Sequence, residues 1–256
     1  MKRRLDVALV ELGLAASRTQ AQALVMAGEV RVGGQVEFKP SRQVDGDAAV
    51  EVAAPPRFVS RGGEKLEGAF ALWGGTESPE GLDARGRTCL DVGSSTGGFT
   101  DCLLQHGAKL VMAVDVGTNQ LAYKLRTDPR VWSRENFNAR FMGPADLPEV
   151  PELAVTDVSF ISLRLILPPI AGVLAPGGGI VALIKPQFEV GRGNAPGGLV
   201  RDEALRTAAR DGIVRFASEE LGLELLGLAE SPIRGREAGN VEYLSYWRKP
   251  AGGGGS

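Results

Sequence analysis

Lys185 stands directly after the apolar run Gly179–Ile184 and just before Pro186. A lysine at the end of a buried strand is partly desolvated, and desolvation or a nearby cation favours the neutral amine that can serve as a base. Asp157 follows a second such run, Leu153–Thr156. The carboxyl ends of parallel strands are where open α/β sheets place their active sites. Lys65 and Glu242 complete a set of four polar residues in unlike contexts. Glu242 lies inside an apolar strand pattern, so it either faces solvent or meets a lysine in the crevice. Taken singly, each of the four also reads as a solvated charge or half of an ion pair.

Residues 90–100 read Leu-Asp-Val-Gly-Ser-Ser-Thr-Gly-Gly-Phe-Thr and join a strand to a helical run beginning near Gly97. Glycines there let backbone amides close around a ligand at a helix N-terminus. The segment is not a dinucleotide fingerprint, because Ser95 stands where that motif needs glycine, and no Lys-Ser/Thr pair follows to make a phosphate-cradling loop. Asp115 ends the next strand and is followed by Gly117; a carboxylate there can accept both hydroxyls of a ribose. Strand, glycine loop and helix, then strand and acid, is how S-adenosylmethionine enzymes hold their cofactor. A tight turn with a surface aspartate is the alternative.

Residues 187–202 carry Gly191, Gly193, Gly197 and Gly198 with Arg192 and Arg201, either a loop that closes over a phosphate backbone or a plain connector. His106, the one histidine, cannot build a Ser-His-Asp or Cys-His constellation. Cys89 and Cys102 are most simply packing residues. Two cysteines are too few for a disulfide scaffold or a four-thiolate zinc site, so the expectation is a cytoplasmic protein without metal.

The elements that must position these residues show up as texture. From Arg61 onward, short apolar runs at 88–92, 109–115, 153–157 and 179–185 alternate with helical patterns, the signature of a mostly parallel α/β sheet. Runs at 223–228 and 241–247 flank the turn at 231–235 and predict an antiparallel pair at the sheet's end. The front of the chain is different. Leu5, Ala8, Leu9 and Leu12 predict a helix ending at Gly13, Ser17 caps a second helix through Ala21, Leu24 and Val25, and strands follow at 29–32, 36–38 and 48–52. The division expected is a front α+β domain over 1–53, a linker at 54–60, a larger α/β domain over 61–250 and a flexible tail at 251–256.

At 256 residues, with 43% hydrophobic and 23% charged residues, the chain is an ordinary globular protein and not a rod or a disordered tail. The uncharged stretch 165–184 is long enough for a bilayer, but Pro168, Pro169, Pro176 and three glycines divide it into helix, turn and strand. Net charge is +2 over residues 1–65 and −4 over the remainder. Nucleic-acid binding therefore needs a local basic face. Arg4, Arg18 and Lys39 fall outside the front unit's apolar face and could grip an RNA backbone.

The chain to about Pro250 resembles the haemolysin-A/TlyA family of ribosomal RNA 2′-O-methyltransferases. Residues 1–53 are similar to an S4 RNA-binding domain through Arg4-Leu-Asp6, Ser17-Arg18 and the Gly-x-Val-x-Val run at Gly28. The remainder is similar to an FtsJ-type methyltransferase domain through Val59-Ser-Arg-Gly62 with Lys65, residues 91–101, Thr156-Asp-Val-Ser-Phe-Ile161, Ile184-Lys-Pro-Gln-Phe-Glu189 and Gly239-Asn-Val-Glu-Tyr243. Gly63-Glu64 departs from the Ala-His of many members. The resemblance implies a Rossmann-like S-adenosylmethionine-dependent methyltransferase fold and a Lys-Asp-Lys-Glu tetrad of Lys65, Asp157, Lys185 and Glu242. In that tetrad Lys185 accepts the ribose proton, Asp157 orients it, and Lys65 with Glu242 holds lysine and substrate. It also implies cofactor contacts from Asp91, Gly93, Ser94, Ser95, Thr96, Gly97, Gly98 and Phe99, and from Asp115, Val116, Asn138 and Asp157. Arg61 and Arg192 join Arg4, Arg18 and Lys39 as RNA contacts, with cytidine riboses of ribosomal subunits as substrate. An inactive RNA-binding protein of this fold and a membrane-active haemolysin are the competing readings; Ser95 disfavours a dehydrogenase.

Overall fold

The computed structural model describes residues 2–53, 56–75, 81–191, 193–235 and 238–252. The chain divides into two units between Pro56 and Arg57. In the first, β1 (Arg3–Arg4) leads into α1 (Leu5–Glu11), and Ser17 caps α2 (Arg18–Met26) by accepting from Gln20 N–H at 3.2 Å. Leu5, Ala8, Leu9, Ala21 and Val25 bury the facing stripes. Leu12 does not join them and is half exposed, because α1 ends at Glu11. The strands β2 (Val30–Val32), β3 (Gln35–Glu37) and β5 (Val50–Val52) form an antiparallel sheet ordered β3-β2-β5, while β4 (Gln43–Val44) pairs with β1.

The second unit begins earlier than the sequence predicts. Phe58 is buried in its core and Val59 N–H donates to Asp101 at 2.9 Å, so the expected linker loses its last residues to this unit. Then come α3 (Gly62–Trp73), β6 (Thr88–Val92), α4 (Gly98–Gln105), β7 (Leu110–Val114), α5 (Tyr123–Arg126) and β8 (Val131–Arg134). They are followed by β9 (Leu153–Thr156), α6 (Leu167–Val173), β10 (Gly179–Ile184), α7 (Pro186–Glu189), α8 (Glu203–Arg215), β11 (Glu224–Glu230) and β12 (Tyr243–Arg248). The seven-stranded sheet runs β11-β12-β10-β9-β6-β7-β8. Among the described strands of this sheet only β12 opposes the common direction, paired antiparallel with β10 and β11 on either side.

The central strands β6, β9 and β10 are buried along their length because helices cover both faces. Leu66, Phe70 and Leu103 pack one face, and Leu167, Ile170, Ile213 and Trp247 the other. The stretch 165–184 folds as helix, turn and strand as predicted, and no described helix is long and apolar enough to cross a membrane. Of the expected tail, residues 253–256 lie outside the described residues.

The start of α3 is held by a close fit. A Cβ on Gly63 would lie 2.2 Å from the ring of buried Phe58. Gly63→Ala gains roughly 1 kcal/mol of helix propensity but overpacks a site that has no room, at a cost of about 1–3 kcal/mol. The overlap wins, and denaturant unfolding of Gly63→Ala is expected to show a net loss of stability.

Candidate active site

The strand order doubles back at β6: the chain continues to β7 on one side and returns to β9 on the other, leaving a crevice at the carboxyl ends of β6 and β9. A cavity of about 930 Å³ opens there, bordered by Gly93, Asp157 and Lys185, which follow β6, β9 and β10, and by Glu242. Glu242 reaches this edge by polarity. Because β12 runs backwards, it begins where the parallel strands end, and the pairing of Ile184 with Tyr243 sets Glu242 beside Lys185.

Lys65 comes from the first turn of α3. Its Nζ lies 2.7 Å from Glu242 Oε2 and 3.3 Å from Asp157 Oδ2, and Lys185 Nζ lies 2.6 Å from Asp157 Oδ1. The four predicted residues thus form one chain of alternating charge, Glu242–Lys65–Asp157–Lys185, with Asp157 shared by both ammoniums. Lys65, Lys185 and Glu242 are buried, and Asp157 keeps partial access to the cavity. Sequence reasoning missed Ser159, whose Oγ accepts from Lys185 Nζ at 2.8 Å; its signal lies in the segment Thr156-Asp-Val-Ser-Phe-Ile161.

The glycine loop forms the neighbouring wall, with Gly93, Ser94, Ser95, Thr96, Gly98 and Phe99 on the cavity. Gly97 caps α4 at φ +96°, and a Cβ there would lie 2.3 Å from Leu125; only glycine meets both demands. Asp91 is not on the cavity but beneath it. It is fully buried, accepts from Thr100 Oγ1 at 2.6 Å, and burial pushes its carboxyl up to about 7. Asp115 lies outside the cavity with its oxygens already receiving Ser95 N–H at 2.8 Å and Gly117 N–H at 2.6 Å, so it ties the loop's tip to the end of β7. Asn138 is exposed and accepts from Arg140 N–H, and Val116 is exposed; neither borders the cavity.

Arg61 lies on the cavity, its guanidinium donating to the Arg234 carbonyl at 3.2 Å. Arg192 lies outside the described residues. The glycine-rich segment around it is no loose connector where described: buried Asn240 donates to Gly198 O at 2.7 Å and accepts from Val200 N–H at 3.0 Å. Asn240, unforeseen from the sequence as a site residue, thereby pins this segment at the cavity. Phe160, also unforeseen, is 78% exposed on the cavity wall at φ +63°, beside Phe188 at a ring-centroid distance of 5.2 Å. In the first unit, Arg4 and Arg18 both bond Asp6, and Lys39 is exposed.

Away from the cavity, Glu67, Cys102 and His106 approach within 4.8 Å of one another. Arg57 sits 2.7 Å from one Glu67 oxygen and His106 2.7 Å from the other, and Phe70 stacks on the imidazole, so the carboxylate is already engaged at both oxygens. Burial raises both thiols, that of Cys89 to about 12, as suits packing residues.

A model of the FtsJ-like methyltransferase family matches residues 58–249, and an S4-domain model matches residues 3–50. The 16S/23S rRNA (cytidine-2′-O)-methyltransferase TlyA of Mycobacterium tuberculosis is 44% identical over 248 residues, covering 96% of this chain and 89% of that protein. A solved structure from Streptococcus thermophilus that carries a provisional hemolysin name matches with a TM-score of 0.73 at 44% identity, over 97% of this chain and 89% of its own. An S-adenosylmethionine-dependent methyltransferase from Mesorhizobium loti, 15% identical at a TM-score of 0.50 over 73% of this chain and 98% of its own, shares the fold.

The buried Asp91 carboxyl makes a signed prediction. The unfolded chain ionises it near pH 4 and the folded chain near 7, so folding binds the extra proton and stability falls as pH rises across that window. Denaturant unfolding from pH 4 to 7 is expected to show the wild type losing stability relative to Asp91→Asn, by up to a few kcal/mol.

Proposed function

The chain belongs to the FtsJ-like methyltransferase family with an S4 domain at its front, and from that premise we propose that it methylates the ribose 2′-hydroxyl of cytidine in ribosomal RNA with S-adenosylmethionine. The observation that carries the reading is the Asp157 carboxylate shared by Lys65 and Lys185 in a cavity walled by the glycine loop. The residues present fit the donor. A Cβ on Gly93 would fall 2.8 Å from Val158 and one on Gly98 2.3 Å from Ser60 Oγ, so the loop is drawn tight against its surroundings. Ser94, Ser95 and Thr96 face the space left free, and Asp115 stands behind Ser95.

When bound, S-adenosylmethionine supplies a methyl carbon made electrophilic by its sulfonium charge. The chain's own part is positioning and proton removal. Lys185, held from one side by Asp157 and from the other by Ser159, takes the proton of the 2′-hydroxyl at Nζ. In the state that accepts this proton Lys185 is neutral, and the tetrad carries one net negative charge, which complements a cationic donor. Lys65 bridges Glu242 and Asp157 and so keeps Asp157 aimed at Lys185. The exposed Phe160 ring gives a flipped-out base a stacking surface at the mouth. Arg4, Arg18, Lys39 and Arg61 supply phosphate contacts that set affinity without reading sequence.

Transfer of labelled methyl from S-adenosylmethionine to unmodified ribosomal subunits, with modified riboses mapped by reverse transcription, tests the reading. Lys185→Ala is expected to cut kcat by roughly 10²–10⁴-fold while donor binding persists. Undiminished transfer by that variant would remove Lys185 as the base.

A further inference from the structure

Asp6 is fully buried in a surface that the proposed function assigns to RNA, an odd place for an acid. Its carboxylate accepts four hydrogen bonds from three side chains. Arg4 donates through Nε to Oδ1 at 3.0 Å and through Nη2 to Oδ2 at 2.9 Å, Arg18 through Nε to Oδ2 at 3.0 Å, and Gln22 through Nε2 to Oδ2 at 2.8 Å. Arg4 precedes α1 while Arg18 and Gln22 lie on α2, so one carboxylate clamps both helices. The hydrogen-bonded Arg4 guanidinium, with Gln22 and Arg18, holds it well below the usual carboxylate range, and it stays ionised. Asp6 N–H also donates to Pro40 O at 3.1 Å, which brings the segment carrying Lys39 to the same end of α1.

A buried carboxylate needs one counter-charge to be tolerated. Here it has two, so the cluster keeps a surplus positive charge. Both guanidinium side chains remain open to solvent, 39% for Arg4 and 56% for Arg18. The Arg4 Nη1 and both Arg18 Nη groups are not used on Asp6. Long cationic side chains lose rotamer freedom when they grip a phosphate. A carboxylate that fixes them beforehand removes that loss from the binding step.

We propose that Asp6 is a positioning residue: its buried carboxylate presents Arg4 and Arg18 as one pre-ordered phosphate-binding pair for the RNA backbone. The inference rests on the RNA-binding reading of the first unit. It separates sharply from a role of charge alone, because Asp6→Asn makes the protein one unit more positive. Long-range attraction by itself then predicts tighter binding to RNA, whereas loss of pre-ordering predicts weaker binding.

The test measures affinity of the full-length chain for unmodified ribosomal subunits at fixed salt, together with methylation kinetics. Asp6→Asn is expected to bind about tenfold more weakly, the size of effect when two long side chains must be ordered on binding, and to raise KM for subunits more than it lowers kcat. Unchanged or tighter binding, or a loss confined to kcat, overturns the proposal. Should Asp6→Asn fail to fold its first unit, judged by circular dichroism and hydrogen exchange, Arg4→Lys carries the same test. It conserves charge and leaves Arg18 and Gln22 on Asp6 but removes the two-pronged contact; it is expected to weaken binding, and full affinity overturns the proposal. The double variant Arg4→Gln/Arg18→Gln distinguishes the two levels: if it binds normally, the RNA reading of these arginines fails, and if it alone binds weakly, only the role of Asp6 fails.

Discussion

Two ammoniums and two carboxylates crowd one cavity, and the protein tolerates them because their order alternates. Taking any one of these charges out of water alone costs several kcal/mol. Along Glu242–Lys65–Asp157–Lys185 every contact joins opposite signs, and each lysine is within 3.3 Å of every acid it faces. Removing an inner member strands its neighbours with uncompensated buried charge, so the set behaves as a unit and not as independent pairs. The fold meets this demand through one reversed strand. If β12 ran with its neighbours, position 242 would sit at the opposite edge of the sheet, some six residues of strand away from Lys185.

The wall beside the tetrad is built with the same economy of space. Gly93 packs on Val158, and its missing Cβ would lie 3.6 Å from the Asp157 carbonyl. Backbone of the glycine loop and backbone of the tetrad's central acid therefore share one contact. A side chain at 93 would press on Val158 and shift Asp157, so loop shape and tetrad geometry are not separable. Gly235 plays a similar part at the far end, where a Cβ would lie 2.7 Å from Glu242 Oε1.

Much of this is legible in the sequence because strand ends announce themselves. Apolar runs that stop at Asp157 and Lys185 mark the sheet edge that borders the cavity, and the glycine spacing of 93, 97 and 98 marks the loop that walls it. Other features leave no such trace. The edge strand β8, Val-Trp-Ser-Arg, is short and only half-buried, so no apolar run advertises it. Pairing of β1 with β4 joins two-residue strands far apart in the chain. Ser159 and Asn240 carry no charge, and their importance comes from what they touch, which is settled by tertiary geometry. The expected linker shows a further limit: Phe58 differs in no local respect from a linker residue, and only its seat against Gly63 assigns it to the second unit.

The two units use buried acids toward opposite ends. In the second, two cations meet two anions, and the balance leaves a group whose net charge changes by one when a proton moves; in a low-dielectric cavity such a change couples strongly to a charged partner. In the first, two cations meet one anion, and the imbalance leaves a fixed positive surplus facing water, where phosphate is the natural complement. Balance with enclosure suits proton transfer, and surplus with exposure suits backbone binding. The difference follows from stoichiometry and burial together, because Asp6 and Glu242 are equally hidden from solvent and differ in how many cations surround them and whether those cations reach water.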